Sequence, residues 1–271
     1  DANRAGDANR AEGSLVVLIH GLAQTAWAWA PVGRRLSATH RVVAPDLRGH
    51  GLSDSPTHGY DPVSLPADVL AVIDGAGERP AGTVLAGHGF GAVVAAWTAV
   101  ALGERCRGLV LVDGGWEDVR TTTGLDPDEF LKVIAEPPEV FRSMAAYLAD
   151  RAGFDPATWD ADQERAARAA VVEVPAGKVV SSTRPHALAA SVEALFQYEP
   201  EVVLGAVTAP IVALKAADDD EGTSTTSLGE VQAALAAAGR PPIAVTRFPG
   251  SGHNLMRYRP DEVTAAILAL A

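Results

Sequence analysis

With 271 residues, 48% of them hydrophobic, and a mean hydropathy of +0.10, the chain carries enough apolar side chains for a sizeable core. A net charge of −12, with no basic cluster longer than the pair Arg34–Arg35, argues against nucleic acid or an anionic membrane surface as a partner. No stretch approaches the roughly eighteen consecutive apolar residues of a membrane span, and a single cysteine, Cys106, rules out an internal disulfide and suits a reducing, cytoplasmic setting.

The opening residues 1–13, DANRAGDANRAEG, form a short polar extension with an imperfect repeat and no apolar core of a signal peptide. From Ser14 onward, apolar β-branched runs alternate with alanine-rich helical stretches. Strands are expected at 14–20, 41–47, 83–88, 108–114, 210–216 and 243–249, and helices at 64–75, 90–102, 224–239 and 260–270. That alternation predicts an α/β fold, a mostly parallel sheet flanked by helices. Between 116 and 207 the pattern changes to helical stretches broken by prolines, without a strong strand. A structureless loop of that length inside a compact domain is improbable, so the interval reads as an inserted helical cap over a core of 14–115 and 208–271. From Glu117 to Gly205, sixteen acidic residues face eight basic ones, a balance of −8. On that count a neutral or cationic, largely apolar small molecule is the expected ligand.

Ligands of open α/β sheets bind outside the carboxyl ends of the strands, and four motifs fall there. In chain order they are His20-Gly21-Leu22 in HGLAQTAWAW, the loop DLRGHGLSD from Asp46 to Asp54, the turn Gly87-His88-Gly89-Phe90-Gly91, and His253 in FPGSGHNLM. Together they resemble the α/β-hydrolase superfamily, in its cap-bearing esterase, lactonase and thioesterase-like branch. The third motif is one letter from the nucleophile elbow G-x-S-x-G, with Gly89 where the nucleophile stands.

The resemblance implies a Ser-His-Asp type mechanism with Gly89 at the nucleophile position, His253 as base, and the backbone N–H groups of Leu22 and Phe90 as the oxyanion hole. The implied acid follows the strand at 210–216, where Asp219 matches best and Asp218 next. Asp113, ending the preceding strand, is a second candidate. His20, Trp27, His88, Trp116, Tyr147 and Tyr198 are candidates for touching substrate, although His20 and His88 also read as braces of their loops. No metal or organic cofactor is called for. The function expected is hydrolysis of a small, largely apolar carboxylic ester, lactone or thioester by a form lacking its nucleophile. Alternatives are general-base lyase, cyclase or hydratase chemistry by His253 alone, a ligand-binding module, and an epoxide hydrolase whose aspartate nucleophile was replaced. Against the last, epoxide hydrolases carry a proline after H-G-x, where this chain has Ala23 after His20-Gly21-Leu22.

Overall fold

The structure, a computed structural model, describes residues 13–77, 82–135, 140–175, 177–216 and 223–271. Among the described residues, eight strands run in chain order as β1 (Leu15–Ile19), β2 (Arg41–Val43), β3 (Thr83–His88), β4 (Cys106–Val112), β5 (Val171–Glu173), β6 (Val179–Ser181), β7 (Ile211–Ala216) and β8 (Ala244–Phe248). Six form one parallel sheet in the order β2-β1-β3-β4-β7-β8. Its strands read as continuous apolar runs because both faces are covered. In β1, Leu15, Val17 and Ile19 enter one core with Leu85 and Leu109, while Val16 and Leu18 enter the other with Val84 and Val110.

The helices supply the covering layers. Helices α1 (Ala30–Leu36) and α12 (Pro260–Leu268) lie on one face through Val32, Leu36, Val263 and Ile267. On the other lie α2 (Ser64–Ala76), α3 (Phe90–Leu102) and α10 (Thr223–Ala237). Helix α3 is buried on almost every side, as its alanine- and valine-rich sequence requires.

Between β4 and β7 the chain forms α4 (Val119–Thr123), α5 (Pro127–Ala135), α6 (Met144–Phe154), α7 (Ala161–Ala169), α8 (Pro185–Leu195) and α9 (Pro200–Ala206). Contrary to the strand-free expectation for this interval, β5 and β6 pair there antiparallel. The signal was weak because each contributes only three residues. The run expected as a strand at 41–47 stops at Val43, since β2 is an edge strand and Pro45-Asp46 turn away into a loop. The helix α11 (Leu255–Tyr258) follows the last strand.

After β2 the chain crosses past β1 to start β3, so the strand order reverses between β1 and β3. Crevices at such a reversal are where open sheets place their ligands. The carboxyl ends there present His20, Gly89 and Asp113.

Candidate active site

The turn from β3 into α3 is built for a residue under strain. Gly89 sits at φ +52°, ψ −119°, a conformation L side chains rarely adopt, and its N–H donates to the Val112 carbonyl at 3.1 Å. A side chain on Gly87 would overlap the Gly91 backbone, and one on Gly91 would overlap the carbonyls of Ile19 and His20. Both glycines are therefore fixed by close approach of backbone to backbone. A Cβ built at Gly89 meets only His253, with Nε2 at 3.4 Å and Cε1 at 3.7 Å. Both are ordinary van der Waals separations.

His253 Nδ1 lies 2.6 Å from Asp113 Oδ2, which assigns the Nδ1–H donor to this bond and turns Nε2 toward Gly89. The histidine side chain is 54% exposed and the aspartate 7%. Asp113 follows β4 at φ +46°, a left-handed position that aspartate tolerates better than most residues. Its N–H donates to the Leu214 carbonyl at 2.8 Å, and its Oδ1 accepts from Ala216 N–H at 2.7 Å. Two strands thus aim this carboxylate. The acid expected first, at Asp219 or Asp218, falls outside the described residues. The carboxylate found on His253 Nδ1 is that of Asp113, the candidate ranked behind them because an aspartate after a strand so often merely starts a turn.

The turn after β1 carries Leu22 and is tied to the loop of His253. Gly21 N–H donates to Gln24 Oε1 at 3.1 Å, and Gln24 N–H donates to the Gly21 carbonyl at 3.2 Å, which locks the turn. Phe90 opens α3, so its N–H has no intrahelical acceptor. Gln24 also donates from Nε2 to Asn254 Oδ1 at 2.7 Å, joining the Leu22 turn to the His253 loop. Sequence reasoning missed Gln24 and Asn254. The available signal was a lone amide in the small apolar run HGLAQTAWAW and a second amide directly after His253.

Two of the candidates for touching substrate, His20 and His88, are buried and act as the loop braces they also read as. His20 Nε2 accepts from Leu47 N–H at 2.9 Å, and Nδ1 is 2.8 Å from the Gly21 carbonyl. Burial, aided by neighbouring His50, lowers its pKa to about 4, so the ring is neutral at pH 7. His88 lies with Nδ1 3.1 Å from Gln24 Oε1 and Nε2 3.1 Å from the His253 carbonyl. Burial first, then the nearby His253, holds its pKa well below the usual range. The loop from Asp46 to Asp54 serves the same scaffold. Asp46 accepts from Ala26 N–H at 2.7 Å and Leu52 N–H at 2.9 Å, and Arg48 donates two bonds to Asp68 at 2.5 and 2.6 Å.

The aromatic candidates are also placed differently from expectation. Trp116 and Tyr198 are buried in the main core, and Tyr198 donates its hydroxyl to the Gly115 carbonyl at 2.7 Å. Burial, with Glu201 and Glu117 nearby, pushes the Tyr198 pKa up, so it is a fixed donor. The Trp27 ring is covered by the Arg165 guanidinium, 3.9 Å from its centroid. Tyr147 lines a cavity next to the site, a space of 360 Å³ between α6, α7 and α11 that has Gln24 and Asn254 in its wall. This cavity carries Arg151 and Arg257 and no carboxylate, so the −8 balance of the interval does not describe its lining. Among the described residues no cluster with metal-ligand composition occurs.

Residues 16–266 match the model of the alpha/beta hydrolase family, and the chain belongs to that family. It is 27% identical over 262 residues to a 2-(acetamidomethylene)succinate hydrolase of Mesorhizobium japonicum, covering 95% of this chain and 88% of that protein. It is 32% identical over 136 residues to mouse epoxide hydrolase 4, a match that spans 49% of this chain and 35% of the relative. The crystal structure of E-2-(acetamidomethylene)succinate hydrolase superposes with a TM-score of 0.76 at 23% identity, covering 96% of this chain and 92% of that one.

Proposed function

We propose that this chain is an acyl hydrolase scaffold for a small carboxylic ester, lactone or thioester, with Gly89 in place of its covalent nucleophile. One observation carries the reading. The Cβ direction at Gly89 points at His253 Nε2, 3.4 Å away, while Asp113 holds the opposite nitrogen at 2.6 Å. A hydroxyl one bond beyond that Cβ falls within hydrogen-bonding reach of the imidazole, the relation a nucleophile and its base require. In the covalent route a serine hydroxyl attacks the carbonyl carbon and passes its proton to His253 Nε2. Asp113 steadies the resulting imidazolium, the N–H groups of Leu22 and Phe90 receive the oxyanion, and water then releases the acyl group. The interval 116–207 acts as the cap over this site, and the occupant is a small molecule rather than nucleic acid or a membrane surface.

A serine, rather than the aspartate of an epoxide hydrolase, fits the surroundings better. The Tyr198 hydroxyl is committed to the Gly115 carbonyl, and Tyr147 belongs to the cavity behind the Gln24–Asn254 pair. A tyrosine hydroxyl already donated to a backbone carbonyl is not available to donate to an epoxide oxygen. The test is Gly89→Ser and Gly89→Asp assayed against aryl esters, lactones, thioesters and epoxides. Serine is expected to raise ester or thioester turnover by several orders of magnitude, since loss of a triad nucleophile costs up to ~10⁶. Epoxide opening by the aspartate variant, with no gain from serine, would reverse the assignment.

A further inference from the structure

We infer that the chain as it stands hydrolyses activated acyl compounds by single displacement, with water as the nucleophile and His253 as its general base. This inference rests on the acyl-hydrolase reading above and names the nucleophile that works in place of a side chain. The difference between glycine and serine is a hydroxymethyl group, close to one water molecule's share of the liquid, roughly 30 Å³. Beyond the flanking residues of the turn, the Cβ of that group meets His253, through Nε2 at 3.4 Å and Cε1 at 3.7 Å. On the opposite side the elbow is closed, because a Cβ on Gly114 would come within 2.9 Å of Gly89 Cα. A nucleophile there therefore stands against the imidazole.

The base is oriented for that water without help from residue 89. The Asp113 bond at 2.6 Å fixes the histidine tautomer, and Ala216 N–H at 2.7 Å fixes the aspartate. With its side chain 54% exposed, His253 is within reach of solvent. The N–H groups of Leu22 and Phe90 belong to the backbone and are unaffected by the residue at 89.

The step balances as follows. The water oxygen forms a bond to the carbonyl carbon while one of its protons passes to His253 Nε2, and the carbonyl π pair moves to the oxygen facing the two N–H donors. The tetrahedral species then re-forms the carbonyl, the bond to the alkoxide or thiolate breaks, and the leaving group takes the proton from Nε2. One ester or thioester and one water give one carboxylic acid and one alcohol or thiol.

The experiment follows release of p-nitrophenol from p-nitrophenyl acetate and of thiol from a short acyl thioester. Four proteins are compared: the unaltered chain, His253→Gln, Gly89→Ala and Gly89→Ser. General-base catalysis contributes about 10²–10⁴-fold, so the unaltered chain should exceed His253→Gln by at least ~100-fold. Gly89→Ala places a methyl group where the water acts and should lose at least ~10-fold. Mass spectrometry should find no acylated protein for the unaltered chain and an acylated one for Gly89→Ser, with thermal melts verifying that each variant is folded. If the unaltered chain is no faster than His253→Gln, or if Gly89→Ala is as fast as the unaltered chain, single displacement is wrong. Turnover by Gly89→Ser alone overturns this inference and leaves the hydrolase reading standing. Silence from all four proteins overturns both.

Discussion

The elbow makes a stability prediction whose sign is opposite to that of an ordinary glycine replacement. Replacing glycine by alanine at a compatible position stabilises a protein by about 0.4–1 kcal/mol through the unfolded chain. At Gly89 the backbone stands at φ +52°, ψ −119°, and a side chain held in so sparsely populated a conformation costs on the order of 1–3 kcal/mol. The new Cβ itself meets nothing closer than 3.4 Å, so no steric overlap adds to that cost. Gly89→Ala should therefore be destabilised by about 1 kcal/mol net, a fall in Tm of about 2–4 °C for a protein of this size. Two controls bracket it in the same urea and thermal titrations. Gly75, in α2, is exposed with nothing within 4 Å of its Cβ position, so Gly75→Ala should stabilise by about 0.5–1 kcal/mol. Gly87→Ala should prevent normal folding, because its methyl group overlaps the Gly91 backbone. An Ala variant at 89 at least as stable as its parent would refute the reasoning: the elbow would then store no strain, and the turn would not be holding a nucleophile's geometry.

In the Gly89→Ser background, Asp113→Asn should lower kcat by about 10⁴, because the wrong tautomer is then presented to the hydroxyl. Asp219→Asn should change it little, and the reverse ranking would move the acid to Asp219. In the same background Gln24→Ala removes the acceptor of Gly21 N–H and the donor to Asn254, so kcat should fall ~10-fold or more with a smaller change in KM. Equal loss in kcat and stability, with the pH profile unmoved, would reduce Gln24 to a packing role. The pKa of His20 is lowered in the folded protein from 6.5 to about 4, so its stabilising contribution is complete above pH 6.5 and is lost as pH falls toward 4. At pH 5 that loss is about 2 kcal/mol from this ring alone. A denaturant midpoint unchanged between pH 7 and pH 5 would contradict it.

The α/β fold was legible because both of its periodicities are strong: the strands are unbroken β-branched runs and the α3 helix is thirteen apolar or small residues. The elbow, the Leu22 turn and His253 were legible because each is marked by glycines that the backbone demands. The aromatic candidates were misplaced for the opposite reason. Trp116 and Tyr198 follow strands and helices in the same way whether they face a ligand or the core, and only tertiary packing separates the two cases. The net charge of the interval 117–205 likewise does not carry over to the cavity wall. Asp118 and Asp160 cap their own helices and Glu164 pairs with Arg168 on the surface, while the cavity wall draws on Arg151 and Arg257.

The acid was hard to read because its identity is set by register rather than by motif. His88 pairs with Val112 across β3 and β4, which puts Asp113 directly alongside Gly89, and β4 pairs with β7 so that Ala216 N–H meets the Asp113 carboxylate. The strand after which the acid was expected thus contributes a backbone donor to an acid carried by its neighbour. This arrangement also explains why glycine at 89 leaves the rest of the site in order. The carboxylate is held by Ala216, the imidazole by the carboxylate, and the turn at Leu22 by Gln24, so every support comes from strand ends or neighbouring loops. None of these bonds uses a side chain at position 89. On the proposed reading, a substitution there changes what attacks the carbonyl, while His253, Asp113 and the backbone donors stay fixed by the sheet.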